Sequence, residues 1–253
     1  MLNKVLKHDF KTLGKRLLPL YLLTIALSVF AKVVALLGEK IELIEILSGF
    51  AMAFCVLAIV SLMFVTFVIC IRRFYTHLFK AEGYLTNSLP VTRNTLVLSK
   101  VVSSVVFYLL SIVTIILSVS ILWWDLELFE MIFIIIREGF DFVLPVIVLL
   151  IVVYLSYYLM ILAAYSLGQT RKGNKISNAV IAGILIYFVN QIIFLILMGI
   201  FTLVKPNFIE LFENPSTGAI KTILWMSVGM SAMVLVVYYL IIIGSLNKKM
   251  DIE

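Results

Sequence analysis

Long apolar runs separated by short polar segments dominate this chain. Six of them reach the roughly 20 residues that a helix needs to cross a bilayer at about 1.5 Å per residue. The runs cover Leu17–Leu37, Ile46–Ile71, Leu96–Leu122, Phe142–Leu167, Asn178–Val204 and Thr222–Leu246. None of them alternates apolar and polar residues as a barrel strand does. The pattern therefore predicts an all-α, polytopic membrane protein with six transmembrane helices.

The first 16 residues follow a different, amphipathic pattern. Apolar residues recur there at steps of three and four, while lysines and His8 occupy the opposite arc. Residues 1–16 are therefore predicted to form an interfacial helix with its bases toward anionic membrane lipid. An ordinary solvated leader is the alternative. We expect Pro19 to break the chain between this helix and a six-span membrane domain at 17–253.

Composition and charge fix the class of protein and its orientation. The chain is 63% hydrophobic and only 13% charged, which excludes a soluble globular enzyme. Lys and Arg concentrate at the two ends of the chain and in the loops after the second and fourth spans. This bias predicts a multi-pass protein of the plasma membrane with both termini cytoplasmic. The net charge of +6 therefore reflects orientation, and we expect no nucleic-acid partner.

The chain carries no recognisable signature of catalysis. The sequence patterns of P-loop nucleotide binding (GxxxxGK[ST]), of HExxH metal sites and of the GxSxG nucleophile are absent. Cys55 and Cys70 lie in apolar runs, and His8 and His77 are far apart in sequence. We therefore expect no catalytic residue, metal site or cofactor site in this chain. A membrane-embedded enzyme is the weakest hypothesis, because the predicted spans contain no Asp or Glu.

A few polar residues interrupt the predicted spans. Asn190 and Gln191 lie near the middle of the fifth span, where they could form interhelical hydrogen bonds or contact a substrate. Lys32 lies near the outer end of the first span and could extend its amine toward water. The third span carries serines whose small side chains favour close helix packing. These serines are Ser99, Ser103, Ser104, Ser111, Ser118 and Ser120.

The loop at 72–93, between the second and third spans, is the longest predicted cytoplasmic loop between spans. Aromatic and aliphatic residues could line one face of a short cytoplasmic helix there, and Glu82-Gly83 could end it. The residues on that face would be Phe74, Tyr75, Leu78 and Phe79. Such a face fits either a docking surface for a partner protein or a helix on the membrane surface.

Two stretches of sequence and the six-span architecture resemble one family. The stretches are LKHDFKTLGKRLLPLY near the start of the chain and EGYLTNSLPVTRNTLVLSK at Glu82–Lys100. Together they resemble permease subunits of type-2 ABC exporters, particularly the small six-span permeases of Gram-positive bacteria. The first stretch resembles the amphipathic entrance helix of that family, and the second resembles its coupling region.

The resemblance implies partners and a mechanism. A separate cytoplasmic ATPase in two copies would bind ATP and Mg and hydrolyse the nucleotide. Two permease chains would pair as a homodimer or with a similar partner. The coupling helix that contacts the ATPase would cover roughly Phe74–Leu85. Its contact residues would be Phe74, Tyr75, Leu78, Phe79, Glu82, Gly83, Tyr84 and Leu85.

The resemblance also implies a class of substrate. A hydrophobic or amphipathic cargo is expected, such as an antimicrobial peptide or a lipophilic drug, with Asn190 and Gln191 as the candidate substrate pathway. The alternative hypothesis is a membrane immunity or sensor subunit that sequesters a ligand without transporting it.

Overall fold

The computed structural model describes residues 2–38, 42–79, 92–123, 139–204 and 217–247, and within these ranges it contains helices and turns but no strand. Its helices are α1 (Leu2–Gly38), α2 (Glu42–Phe79), α3 (Arg93–Leu122), α4 (Phe140–Gln169), α5 (Lys175–Val204) and α6 (Thr217–Asn247). Each is long and apolar enough to cross a membrane. The prediction of an all-α fold with six candidate spans is confirmed, and the chain is a polytopic helical membrane protein.

The predicted break at Pro19 is wrong, because α1 runs without interruption from Leu2 to Gly38. A proline inside a helix removes one backbone hydrogen bond, but ending the helix in apolar surroundings would leave several backbone groups unpaired. The leader is therefore helical, as its pattern predicts, but it is the first part of α1. Its apolar face contacts protein, since the rings of Phe10 and Phe107 lie 5.8 Å apart. Its position in the headgroup plane stays a prediction.

The first of two compact units contains α1, α3 and α2 as far as Phe74. Hydrogen bonds between side chains and backbone join its helices in their apolar middle. The Tyr21 hydroxyl donates to the Phe107 carbonyl oxygen at 2.9 Å and lies 3.4 Å from Thr66 Oγ1. These bonds connect all three helices at one level.

Buried serines line α3 where its neighbours pack closely. The hydroxyls of Ser103, Ser104 and Ser111 donate to carbonyl oxygens three residues earlier on the same helix, so these side chains need no partner across the interface. Five of the six predicted serines are buried and Ser120 is half-buried, which agrees with a packing role. The buried five are Ser99, Ser103, Ser104, Ser111 and Ser118.

Contacts at both ends of the first unit establish its topology. The beginning of α1 meets the beginning of α3 through Asp9 and Lys100, and the end of α2 joins them through Arg73. At the opposite end, Lys32 Nζ donates to the Leu122 carbonyl oxygen at 3.1 Å. Thus α1 and α3 run parallel, with α2 antiparallel to both. Lys32 caps the C-terminus of α3, where a cation is favourable.

The second compact unit contains α4, α5, α6 and the last turn of α2. A short turn joins α4 to α5, and Asn174 Oδ1 caps α5 by accepting hydrogen bonds from the backbone amides of residues 176 and 177. Gly168 permits a close crossing, because an added Cβ would lie 2.7 Å from Ala179 Cα. Asp141 and Lys221 form an ion pair at 2.7 Å, so α4 and α6 begin at the same end.

Candidate functional site

The described residues of the predicted coupling helix form the last turns of a long helix. Phe74, Tyr75, Leu78 and Phe79 belong to α2, which continues to Phe79 without a break. A separate short helix is therefore not found in the described part of this segment. The helix continues to Phe79 because these side chains pack against other parts of the protein. The other predicted coupling residues, Glu82, Gly83, Tyr84 and Leu85, lie outside the described residues.

Burial changes what these α2 residues can do. Phe74, Leu78 and Phe79 are buried, and the half-buried Tyr75 has its ring 5.1 Å from that of Tyr165. In this conformation the three buried side chains are inaccessible to a docking partner. Their contribution to coupling, which stays a prediction, would be to hold the end of α2 in place.

A buried ionic cluster joins the three helices of the first unit. The Asp9 side chain is fully buried, and its Oδ1 pairs with Lys100 Nζ and lies 3.6 Å from Arg73 Nε. Its Oδ2 accepts a hydrogen bond from Ser99 Oγ at 3.1 Å. The guanidinium of Arg73 also lies 3.3 Å from His8 Nδ1. We call Asp9, Arg73 and Lys100 the ionic cluster.

The ionic cluster has an unusual charge balance. Among the described residues, one carboxylate faces two cations, and all three side chains are at most 5% exposed. Taking charges out of water is costly unless they are paired and hydrogen-bonded, so the Asp9 carboxylate stabilises both cations. The cluster therefore ties the beginning of α1 to α2 and α3.

Sequence reasoning missed the ionic cluster because it placed Asp9 on an interfacial helix and Arg73 in a cytoplasmic loop, with nothing to bring them together. A signal was present, since Asp9 follows Val5 by four residues and precedes Leu13 by four. An acid on the apolar arc of an amphipathic helix indicates a buried partner. The positions of Arg73 and Lys100 beside it depend on tertiary packing, which periodicity does not specify.

A cavity of about 200 Å³ lies between α4, α5 and α6 in the second unit. Its wall is mostly aliphatic, methionine and aromatic, with polar groups near the middle of the helices. Asn190 and Gln191, the predicted substrate-contact residues, both line it. The sequence did not indicate the tyrosines beside them, because tyrosine in a span counts as an apolar aromatic. These are Tyr157, Tyr187 and Tyr238.

The predicted interhelical hydrogen bonds of the two amides are not found among the described residues. Gln191 Nε2 donates to the Tyr187 hydroxyl at 3.1 Å, one turn earlier on the same helix. The structure gives the Asn190 amide no hydrogen-bond partner in the described ranges. The polar groups of α5 therefore face the cavity without joining α5 to its neighbours.

No family model, curated protein or solved structure matches this chain. The fold and the cavity nevertheless define a class. This is a helical multi-pass membrane protein whose second unit carries a half-open, partly polar cavity near the middle of three helices, and none of the described residues that line it is charged.

Proposed function

We propose that this chain is the permease subunit of an ATP-driven ABC exporter in a bacterial plasma membrane. It moves a hydrophobic or amphipathic substrate by alternating access. The observation that carries the proposal is the partly polar cavity within a bundle of membrane-length helices. Polar side chains at membrane depth are costly and commonly mark a substrate pathway.

The energy for transport comes from a partner. Two copies of a cytoplasmic ATP-binding-cassette ATPase hold ATP and Mg, and two permease chains form a homodimer. The ATPase drives transport only if it contacts the permease differently in its two states. The helices in turn need two discrete packings. The loop at 72–93 is the proposed point of contact.

The distribution of charge supports the proposed orientation. The ionic cluster forms where the beginnings of α1 and α3 meet the end of α2. Lys and Arg also concentrate in the sequence around this end. The positive-inside rule makes it the cytoplasmic end, so the loop at 72–93 faces the compartment that contains ATP.

Reconstitution tests the proposal. The neighbouring genes are first searched for an ATP-binding-cassette ATPase. The chain is then co-expressed with that ATPase, purified and placed in liposomes, and ATP hydrolysis is measured with a panel of amphipathic peptides. We expect co-purification and stimulation of hydrolysis by at least one peptide. Tyr84→Ala should reduce ATPase binding, whereas Tyr239→Phe, far from the loop in sequence, should not. No co-purification with an adjacent ATPase, or normal coupling in Tyr84→Ala, would contradict the assignment.

The cavity also fits the second candidate, a subunit that sequesters a ligand without transporting it. Its lining comes entirely from one unit, so it could hold a ligand without an ATPase. Expression without the ATPase distinguishes the two functions. Protection of cells against a toxic amphipathic compound in that background favours sequestration, and loss of protection favours export.

A further inference from the structure

Three exposed cations lie together on the outer face of α1. Lys11, Lys15 and Arg16 are exposed, and they line one open space on the surface with His8 and Thr12. The structure gives none of the three cations an acidic partner among the described residues. They differ in this from the cations of the ionic cluster, which face a carboxylate inside the protein. The three cations are therefore available to an anion from outside this part of the chain.

The depth of these cations follows from the packing of α1 beside the parallel helix α3. Asp9 pairs with Lys100, and both helices rise about 1.5 Å per residue, so residues 11–16 lie beside residues of about 102–107 on α3. The stretch 101–122 of α3 contains no charged residue and extends about 33 Å, close to the thickness of a hydrocarbon core. The backbone that carries the cations therefore lies about 3–11 Å inside the boundary between hydrocarbon and headgroups.

The direction of the side chains returns the charges to that boundary. Cα–Cβ bonds in a helix tilt toward its N-terminus, which on α1 is the direction of the nearer headgroups. Long Lys and Arg side chains keep their stems along apolar surface and place the charge at the headgroup level. The phosphate of a lipid is the anion that every phospholipid bilayer supplies at this level.

The same face of α1 continues as an exposed apolar surface. Leu18 and Leu22 follow Lys11 and Lys15 by seven residues, which places them on the same face two turns deeper. Their exposed fractions are 50% and 68%, so an acyl chain can pack against them. A free phosphate would use only the cations, whereas a phospholipid uses both parts of the face. The arrangement therefore favours a lipid over a small soluble anion.

We propose that this face of α1 binds one anionic phospholipid, with Lys11, Lys15 and Arg16 around its phosphate and an acyl chain along Leu18 and Leu22. The proposal replaces a leader that lies flat on the membrane by a defined site on a continuous helix. A zwitterionic lipid such as phosphatidylcholine binds less well, because its ammonium group would face the same cations. The site is independent of the proposed export function, since it needs neither an ATPase nor a cargo.

Native mass spectrometry tests the proposal on the full chain, purified in mild detergent and titrated with phosphatidylglycerol. We expect a first lipid to bind more tightly than later ones, and about fivefold or more tighter than phosphatidylcholine. Lys15→Gln should weaken its binding about fivefold, the effect of one basic residue near an anionic surface, whereas Lys15→Arg should not. The triple variant Lys11→Gln, Lys15→Gln, Arg16→Gln should weaken it by about tenfold or more.

A matched triple variant separates a defined site from a response to net charge. Lys4→Gln, Arg171→Gln, Lys172→Gln also removes two lysines and one arginine from exposed positions, and it should leave binding of the first lipid unchanged. Glycerophosphoglycerol, which is the headgroup without acyl chains, separates a lipid from a soluble phosphate ester. It should compete for the site only at concentrations far above those of the lipid.

Several results would overturn the proposal. Equal weakening by the two triple variants would show only a diffuse effect of net charge, and equal affinity for the two lipids would exclude an anionic site. Competition by glycerophosphoglycerol at the concentration of the lipid would assign the cations to a soluble phosphate ester. Melting temperatures matched to the wild type show that the variants are folded, and Lys15→Gln decides if the triple variant is not. Since the assay contains no ATPase or peptide, failure of the export proposal leaves its result intact.

Discussion

Replacing Asp9 by Asn would remove a buried carboxylate that two buried cations face. Lys100 and Arg73 both face Asp9, and the exposed fractions of the three side chains are 0% for Asp9, 1% for Lys100 and 5% for Arg73. Solvent cannot screen charges at that depth. Removing one partner of a buried ion pair costs about 3–5 kcal/mol, because the remaining charge stays desolvated. We expect Asp9→Asn to lower the free energy of unfolding by an amount in this range.

The chain offers a matched control for this substitution. Asp141 also pairs with a lysine, Lys221, but their side chains are 77% and 40% exposed. A surface pair contributes about 0–1 kcal/mol, so Asp141→Asn should change stability little. Both variants replace Asp by Asn beside a lysine, and they differ in burial. Thermal unfolding of the purified chain in detergent, at fixed protein concentration and ionic strength, compares them.

Apolar replacement of the whole cluster separates the cost of unpaired charge from the value of the pairing. Replacing buried ion pairs by apolar residues of similar volume is often neutral or stabilising. The triple variant Asp9→Leu, Arg73→Met, Lys100→Met should therefore unfold at a higher temperature than Asp9→Asn. Equal stability of Asp9→Asn and Asp141→Asn, or a triple variant as unstable as Asp9→Asn, would refute the desolvation argument.

Three further substitutions test the packing of the two units, each by thermal unfolding in detergent. Gly168→Ala should destabilise by about 1–3 kcal/mol because its Cβ would lie 2.7 Å from Ala179 Cα, whereas Gly229→Ala, with no atom near its added Cβ, should not destabilise. Tyr21→Phe removes a hydrogen bond to the α3 backbone and should cost about 1 kcal/mol; no change would exclude that bond. Asn174→Ala removes the cap of α5 and should cost about 0.5–2 kcal/mol; Asn174→Ser should restore most of it, and failure would contradict the capping role.

The number and type of the helices follow from the sequence because the bilayer sets a length that apolar runs must match. The positions of the helix ends follow less directly from the apolar runs. The first apolar run starts at Leu17 and the second ends at Ile71, but α1 begins at Leu2 and α2 continues to Phe79. Both extensions carry members of the ionic cluster, Asp9 and Arg73. Charged residues end a hydropathy run, but they do not end a helix when the fold pairs them.

The cavity shows a second limit of sequence reasoning. Asn190 and Gln191 stand out in an apolar run because an amide at membrane depth requires an explanation. Tyr238 does not stand out, because tyrosine rings are common in membrane spans. The sequence does not show that its buried hydroxyl lacks a partner in the described ranges. Those surroundings depend on which faces of α4, α5 and α6 meet. Those contacts are set by the packing between helices, which the hydrophobic periodicity of a single helix does not specify.

The two units differ in the hydrogen bonding of their buried polar groups. In the first unit Asp9 and Tyr21 are satisfied by neighbouring helices, although Ser118 Oγ and Arg93 Nη1 have no partner in the described ranges. In the second unit the buried Tyr238 hydroxyl has no partner among the described residues. A satisfied group stabilises the fold, whereas an unsatisfied one costs stability until something binds it. Removing a charge from the first unit should therefore lower the melting temperature of the empty protein. Removing the Tyr238 hydroxyl, which is buried without a partner in the described ranges, should leave that temperature unchanged or raise it slightly.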